Sequence, residues 1–296
     1  MSAFEVHVLA SGSKGNAIYI RAGETSLLID AGISARRITN GLAEIGVKPA
    51  DLSGVFLTHE HSDHVSGLPV FCRKYGLPVF AKEATWYGLS CRREIAPACC
   101  RVLSSGLNLG ELSVEPFSIP HDAADPVGFM LRHGDDKCTV ATDVGFVTDT
   151  VRAALEGSDV VVLEANHDVN MLKNGSYPRV LQQRILSNRG HLSNADAGWT
   201  LAKLPAKPQM DIFLAHLSHE NNTPSLAYST VRDILAAAGR LPDVRLFVTS
   251  QERRVTNCIT GGEYDDEKTD AAYGGPVSGD ADRSGVDSGL QPGLQF

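Results

Sequence analysis

Nowhere in the 296 residues is there a run of about 18 apolar residues, so no helix is expected to cross a membrane and no membrane partner is expected. The opening residues, Met1 to Glu5, offer no charged region leading into an apolar stretch, so no secretory leader is expected either. The six cysteines (Cys72, Cys91, Cys99, Cys100, Cys138 and Cys258) include no CxxC pair and no disulfide-framework spacing. A reducing, cytoplasmic setting follows, with thiols serving as small core residues. No histidine follows the adjacent Cys99 and Cys100 at ligand spacing, so they are read as packing residues rather than metal ligands. Heptads and short repeats are missing too. So is any basic excess: the formal net charge is −8. That sign is local, however. From Glu263 onward eight acidic residues face only Lys268 and Arg283, and the remainder of the chain is close to neutral. The overall charge therefore does not exclude a nucleic-acid partner.

What the chain does contain is short β-type runs alternating with helical patterns. Apolar runs bounded by Gly, Pro, Asp or Ser predict strands over residues 4–9, 17–21, 26–30, 54–58 and 77–81, with helices over 35–45, 63–75 and 84–94. A second series predicts strands over 112–117, 127–133, 137–142, 160–163, 211–215 and 245–249, with helices over 149–155, 178–186, 194–204 and 225–238. Ser193 or Asn194 can cap the 194–204 helix. Many strands are joined by tight turns, so two sheets packed face to face with helices outside fit better than one parallel sheet. Past Gly261 the apolar periodicity ends. Residues 1–260 are expected to form the folded domain and 261–296 an acidic, Gly/Ser-rich disordered tail.

The strongest chemical signal is His59-Glu60-His61-Ser62-Asp63-His64, directly after the apolar run Val55-Phe56-Leu57. A strand ending there puts His59 and His61 on a loop, with Asp63 and His64 opening the next helix. Imidazole nitrogens mixed with a carboxylate suit zinc or another borderline divalent metal better than calcium or magnesium. Further candidates recur where strands end: Asp30 after Ile29, His121 after Pro120, Asp143 after Thr142 and His216 after Ala215. A lone histidine after a strand is usually a loop or core residue. Their shared position puts all of them within reach of one rim.

The series Asp30, His59-x-His61-x-Asp63-His64, His121, Asp143, His216 resembles the metallo-β-lactamase-fold hydrolases over about residues 1–250. The resemblance implies an α/β fold, a four-layer αββα sandwich. It implies that His59, His61 and His121 hold one metal and that Asp63, His64 and His216 hold a second. Asp143 would bridge, and Asp30 would orient the histidine loop. Two divalent ions, zinc by preference with manganese or iron compatible, would activate a water and polarise the substrate. Asp122, beside His121, is a candidate acceptor for setting a histidine tautomer.

Gly190-His191-Leu192-Ser193-Asn194 resembles the segment of ribonuclease Z relatives in which a non-ligand histidine assists phosphodiester cleavage. By that resemblance His191 would be a general acid oriented by Glu164, and together with Asp63 they make the expected catalytic set. His167 reads as a surface or supporting residue. Between Met171 and Gly190 every charge is positive, with Arg179, Arg184 and Arg189 the expected phosphate grip beside Lys14 of the glycine-rich loop Ser11-Gly12-Ser13-Lys14-Gly15-Asn16. A solvated helix face is the alternative for Arg179 and Arg184, and a plain hairpin turn for the loop. The whole motif set, with His216-Leu217-Ser218-x-x-Asn221-Asn222, resembles the YycJ (WalJ) subgroup, and the resemblance implies a bacterial exonuclease acting on double-stranded DNA ends. Only 22 residues separate His121 from Asp143, and 73 separate Asp143 from His216. Those gaps are too short for the arm of transfer-RNA-processing ribonuclease Z or the inserted β-CASP domain. The competing expectations are a small-molecule hydrolase of the same fold, acting on a thioester, lactone or cyclic phosphodiester, and a metal-binding module without turnover.

Overall fold

The computed structural model of the chain describes residues 4–257, and the expected tail over 261–296 lies outside the described residues. Period-two alternation sorts each strand's side chains onto two faces. In Phe4–Ala10 the residues Phe4, Val6 and Val8 enter one apolar cluster and Leu9 another. Ala17–Ala22 does the same with Ile18 and Ile20 against Tyr19, and Thr25–Ile29 with Leu27 and Ile29 against Leu28. Both faces are therefore covered, as a sheet inside a layered sandwich requires.

Two seven-stranded mixed sheets result. The first runs, in spatial order, Val255–Thr256, Phe4–Ala10, Ala17–Ala22, Thr25–Ile29, Val55–Phe56, Val79–Ala81 and Cys100–Val102. The second runs Val244–Val248, Met210–Ala215, Val160–Glu164, Asp136–Ala141, Val127–His133, Leu112–Ser118 and Leu107–Leu109. An inner cluster containing Ile18, Ile29, Phe56, Phe129, Val140, Val162 and Phe213 joins them. Outside the first sheet, Ile38 and Leu42 of helix Ala35–Glu44 and Phe71 of Leu68–Tyr75 cover Leu28, Val55 and Val79. Outside the second lie Val151 of Asp149–Leu155, Ala197 and Leu201 of Asn194–Lys203, and Val231 and Leu235 of Pro224–Ala237. This is the four-layer αββα sandwich. No described helix is long and apolar enough to cross a membrane.

Two expected helices change, and four elements appear that were not expected. The helix expected over 63–75 is two, Ser62–Val65 and Leu68–Tyr75. Gly67 lies between them, donates its N–H to the Ala31 carbonyl at 2.8 Å, and has no room for a Cβ against the Ile33 carbonyl. The helix expected over 84–94 stops at Gly88 and resumes only as a 3-10 turn, Arg92–Glu94, whose Arg92 guanidinium sits 5.0 Å over the Trp86 ring. Gly88 and Ser90 are poor helix formers, so the break is cheap. Val169–Asn174 is an unexpected helix capped by Asp168, and Cys100–Val102, Leu107–Leu109 and Val255–Thr256 are unexpected strands of only two or three residues.

Parallel pairing sets up the site. Thr25–Ile29 pairs parallel with Val55–Phe56, and Asp136–Ala141, Val160–Glu164 and Met210–Ala215 pair parallel in turn. Their C-terminal ends share one rim, so Asp30, His59, Asp143, Glu164 and His216 are delivered to the same place.

Candidate active site

Three rim residues leave their strands in the left-handed region: Asp30 at φ 59°, Asp143 at 58° and His216 at 56°. Among the described residues Gln209 is the sole other non-glycine there. Asp and His tolerate that conformation better than branched residues do, at a cost of about 1 kcal/mol or more each. It breaks the strand's alternation and swings each side chain onto the rim.

Asp30 is buried and accepts from Thr58 N at 2.9 Å, from Thr58 Oγ1 at 2.8 Å and from His64 Nδ1 at 2.7 Å. Since the Thr58 hydroxyl donates to Asp30, its oxygen accepts the Nδ1 proton of His59 at 3.0 Å. The Nδ1 of His121 donates to the Gly190 carbonyl at 3.1 Å, and that of His216 to Glu164 Oε1 at 2.8 Å. This network assigns one tautomer to four histidines and turns four Nε2 lone pairs toward a shared space. His61 points its Nδ1 at His59 Nε2, 3.0 Å away.

Asp143 stands in the middle. Its Oδ2 lies 3.2 Å from His64 Nε2, and its Oδ1 lies 3.5 Å from His216 Nε2 and 3.7 Å from His121 Nε2. Asp63 Oδ2 is 3.4 Å from both His64 Nε2 and His216 Nε2. Ligand atoms of His59, His61 and His121 lie within 4.8 Å of one another, as do those of Asp63, His64 and His216, and those of His59, His64 and Asp143. Burial disfavours charge on Asp63, His59, His64, His121, Asp143 and His216, but the field overrides it in places. Asp143 is held well below the usual carboxylate range by His216 and His64. Asp143 and Asp30 drive His64 well above its ordinary value, and Asp143, Asp63 and Glu164 drive His216 to about 10. His59, buried beside His64, is pushed the other way. Meanwhile the buried Asp143 Oδ2 accepts no hydrogen bond among the described residues, and imidazole nitrogens converge without enough donors to pair them. Both defects are costly as they stand and both are relieved by divalent cations. The donor set fits metal.

Glu164 ties a second group to the first. Fully buried, it accepts Val144 N at 2.7 Å and Leu192 N at 2.9 Å on Oε2, while Oε1 lies 2.8 Å from both His191 Nδ1 and His216 Nδ1. Against the burial penalty, His191 and His216 hold its carboxyl at about 2. In return, against its own burial, Glu164 raises His191. His191 lines the cleft, a space of about 230 Å³ shared with His61, Asp63, His121, Asp143, His216, Ser13 and Arg184.

The Ser11–Asn16 loop holds the rim together through its side chains. Ser11 Oγ accepts His216 N at 2.8 Å and donates to Asn16 Oδ1 at 3.1 Å, and Asn16 Nδ2 stands 3.2 Å from His64 Nε2. Gly32 packs directly on the Asp63 carbonyl, leaving no space for a Cβ. Lys14 is exposed and Ser13 lines the cleft in its place. Arg184 lines the cleft and is ion-paired to Asp122, its Nε donating at 2.6 Å. Arg179 and Arg189 are exposed beyond it. Asp122 does not set the His121 tautomer, since it approaches Nε2 at 3.3 Å and leaves Nδ1 to Gly190. Nor is His167 a surface residue: it is buried, and among the described residues neither ring nitrogen has a hydrogen-bond partner. Asn16, Thr58 and Asn166, the last donating to the His216 carbonyl at 2.9 Å, had no role assigned from sequence. Their signal was only adjacency to the histidine motifs. The five described cysteines are free.

The chain belongs to the metallo-beta-lactamase superfamily, a sequence model of which matches residues 10–216. Within it, the chain is 38% identical to exodeoxyribonuclease WalJ of Streptococcus pneumoniae over 256 residues, covering 84% of this chain and 95% of that protein. It is 39% identical to exodeoxyribonuclease YycJ of Bacillus anthracis over 235 residues, 78% of this chain and 89% of the relative. The likeness to the YycJ (WalJ) subgroup read from motifs therefore extends along nearly the whole domain. Among solved structures, the metallo-beta-lactamase fold protein YhfI of Bacillus subtilis superposes with a TM-score of 0.61 at 16% identity, covering 87% of this chain and all of the other; that shows a shared fold.

Proposed function

We propose that the chain is a metal-dependent exodeoxyribonuclease acting on double-stranded DNA ends in the cytoplasm, its domain formed by residues 1–260. The observation that carries this is His191: an imidazole raised by a buried glutamate, facing a cleft shared with a His/Asp cluster that fits metal. A thioester's thiolate leaves without such an acid, whereas a phosphodiester's leaving sugar oxygen needs one. The kinship with two named exodeoxyribonucleases points the same way.

One divalent ion would be held by His59, His61 and His121 and a second by Asp63, His64 and His216, with Asp143 serving both. Zinc is the favoured metal, and manganese or iron suits the same donors. Bound there, the ions supply Lewis acidity toward the phosphoryl oxygen and make a water acidic enough to attack at neutral pH. Glu164 keeps the second proton of His191 on Nε2. As the P–O bond breaks, that proton passes to the leaving oxygen. Arg184, released from Asp122, and the exposed Arg179, Arg189 and Lys14 would meet the phosphates on either side.

The test is digestion of an end-labelled duplex by metal-loaded protein, run beside bis(p-nitrophenyl) phosphate. Progressive loss of label, abolished in His191→Ala protein that still binds metal, is expected. Turnover of the small ester with no loss of DNA would overturn the proposal.

A further inference from the structure

Three of the large apolar side chains left exposed among the described residues gather in one groove beside the cleft: Phe146 is 43% exposed, Leu186 42% and Trp199 49%. Arg152 and Lys203 also line it. Lys203 has no acidic partner among the described residues, and neither has Arg189, next along the chain from the groove residue Asn188. The acids nearby are already engaged, Asp196 by the Ser193 hydroxyl at 2.6 Å and Asp149 by Arg152 at 2.6 Å.

The groove is made from the same segments as the cleft. Gly145 donates to the Pro120 carbonyl at 2.8 Å and lies so close to the backbone of Asn188 and Arg189 that a Cβ would collide with it. That contact welds the loop carrying Asp143 to the loop carrying His191. Phe146 is three residues beyond Asp143, hence within about 11 Å Cα to Cα. Such a span matches about three stacked bases at ~3.4 Å each.

We propose that this groove is a stacking subsite for unpaired bases of the DNA strand whose backbone passes through the cleft. The proposal rests on the exonuclease reading. Half-exposed aromatic faces beside unpaired cations match a polymer that alternates flat bases with phosphates, and stacking on such a face is worth about 5- to 150-fold in affinity per base. A stable protein partner would call for a face of ~800 Å² with an apolar centre. Here Asn188, Thr200 and Lys203 interrupt the apolar side chains.

The chain has two tryptophans, and Trp86 is only 6% exposed, so quenching by added bases reports on Trp199. The metal-loaded full chain is titrated with an eight-nucleotide phosphorothioate oligothymidylate. The expected result is quenching that Trp199→Leu removes, with affinity at least fivefold lower in Phe146→Leu. On DNA, KM should rise with kcat little changed, and bis(p-nitrophenyl) phosphate turnover should be unaltered. DNA hydrolysis without quenching, or with Phe146→Leu and Lys203→Gln binding as tightly as the parent, would overturn the subsite while leaving the exonuclease reading intact. Self-association abolished by Trp199→Leu, without quenching, would overturn it in favour of a contact between copies. Quenching without any DNA hydrolysis would support the groove and sink the exonuclease reading instead.

Discussion

Glu164 reaches His216 with the same oxygen that it offers His191: Oε1 is 2.8 Å from Nδ1 of each. One buried carboxylate thus orients a histidine of the metal-fitting cluster and the histidine proposed as acid. Glu164→Gln keeps the volume but removes the charge and leaves one acceptor oxygen where Glu164 has two. Metal affinity should fall about 10- to 100-fold, as for lost supporting partners of metal ligands, and kcat should fall further. His191→Ala, by contrast, should lose kcat with metal affinity intact. Chelator competition run beside single-turnover kinetics separates the two, and equal metal affinity in Glu164→Gln and the parent would refute the shared role.

Much of this site was legible in the sequence because its residues follow strands. Apolar runs of period two mark where strands end, and Asp30, His59, Asp143 and His216 come just after such ends. The left-handed turns at Asp30, Asp143 and His216 were not legible, since Asp and His occupy ordinary backbone conformations too. The link from Glu164 to His216 spans 52 residues and depends on parallel pairing of Val160–Glu164 with Met210–Ala215, which no local pattern encodes. Arg184 was read as a phosphate grip from charge alone, but its pairing with Asp122 across the cleft is tertiary. The short edge strands escaped for a different reason: two or three residues carry no period.

Asp30 should matter without touching metal. Asn fits the left-handed turn at φ 59°, so Asp30→Asn isolates the loss of the charge and of one of the two acceptor oxygens shared by Thr58 and His64. Metal affinity should drop about 10- to 100-fold. Asp30→Ala, which leaves the His64 and Thr58 donors buried and unpaired, should also lower unfolding stability by about 3 kcal/mol or more. Urea denaturation of both variants against the parent decides this; unchanged midpoints and metal affinity would show that the loop holds its histidines unaided.

Replacing Arg179, Arg184 and Arg189 together with Ala should reduce the slope of log affinity against log salt by up to about 2.7 on duplex DNA. Of the three, Arg184 should contribute least singly, because its phosphate contact competes with Asp122. Fluorescence anisotropy on a duplex between 50 and 200 mM salt, about the range in which such losses are large, provides the slope. An unaltered slope would mark these arginines as a solvated helix face.

Chelating bound divalent metal should abolish turnover and lower Tm without unfolding the chain. The three apolar clusters contain none of the rim histidines or aspartates, so the sandwich persists when the rim loses its cations, unlike a zinc finger. Far-UV circular dichroism should stay constant through chelation, and added zinc or manganese should restore turnover. A cooperative loss of structure on chelation would contradict this division.

Lys137 offers a stability test at the opposite end of strand Asp136–Ala141 from Asp143. It is buried, donates from Nζ to the Glu156 carbonyl at 2.6 Å, and is pushed down to about 8 by burial and by the charges of Arg132 and Lys207. Unfolded, it titrates near 10.4. Between those values the unfolded chain binds more protons than the native one, so this residue makes stability rise with pH from about 8 to 10.4 and contributes no slope below 8. Cys72, raised by burial to about 12, acts oppositely above pH ~8.5, because its thiol ionises first in the unfolded chain. The comparison that isolates Lys137 is therefore the parent against Lys137→Met at pH 7.5 and 9.5. The gap in urea midpoint should shift toward the parent at the higher pH, while the variant, free of the buried charge, should match or exceed the parent at the lower one. A gap that stays constant would mean that Lys137 keeps its proton through the whole range, with the Glu156 carbonyl offsetting its desolvation.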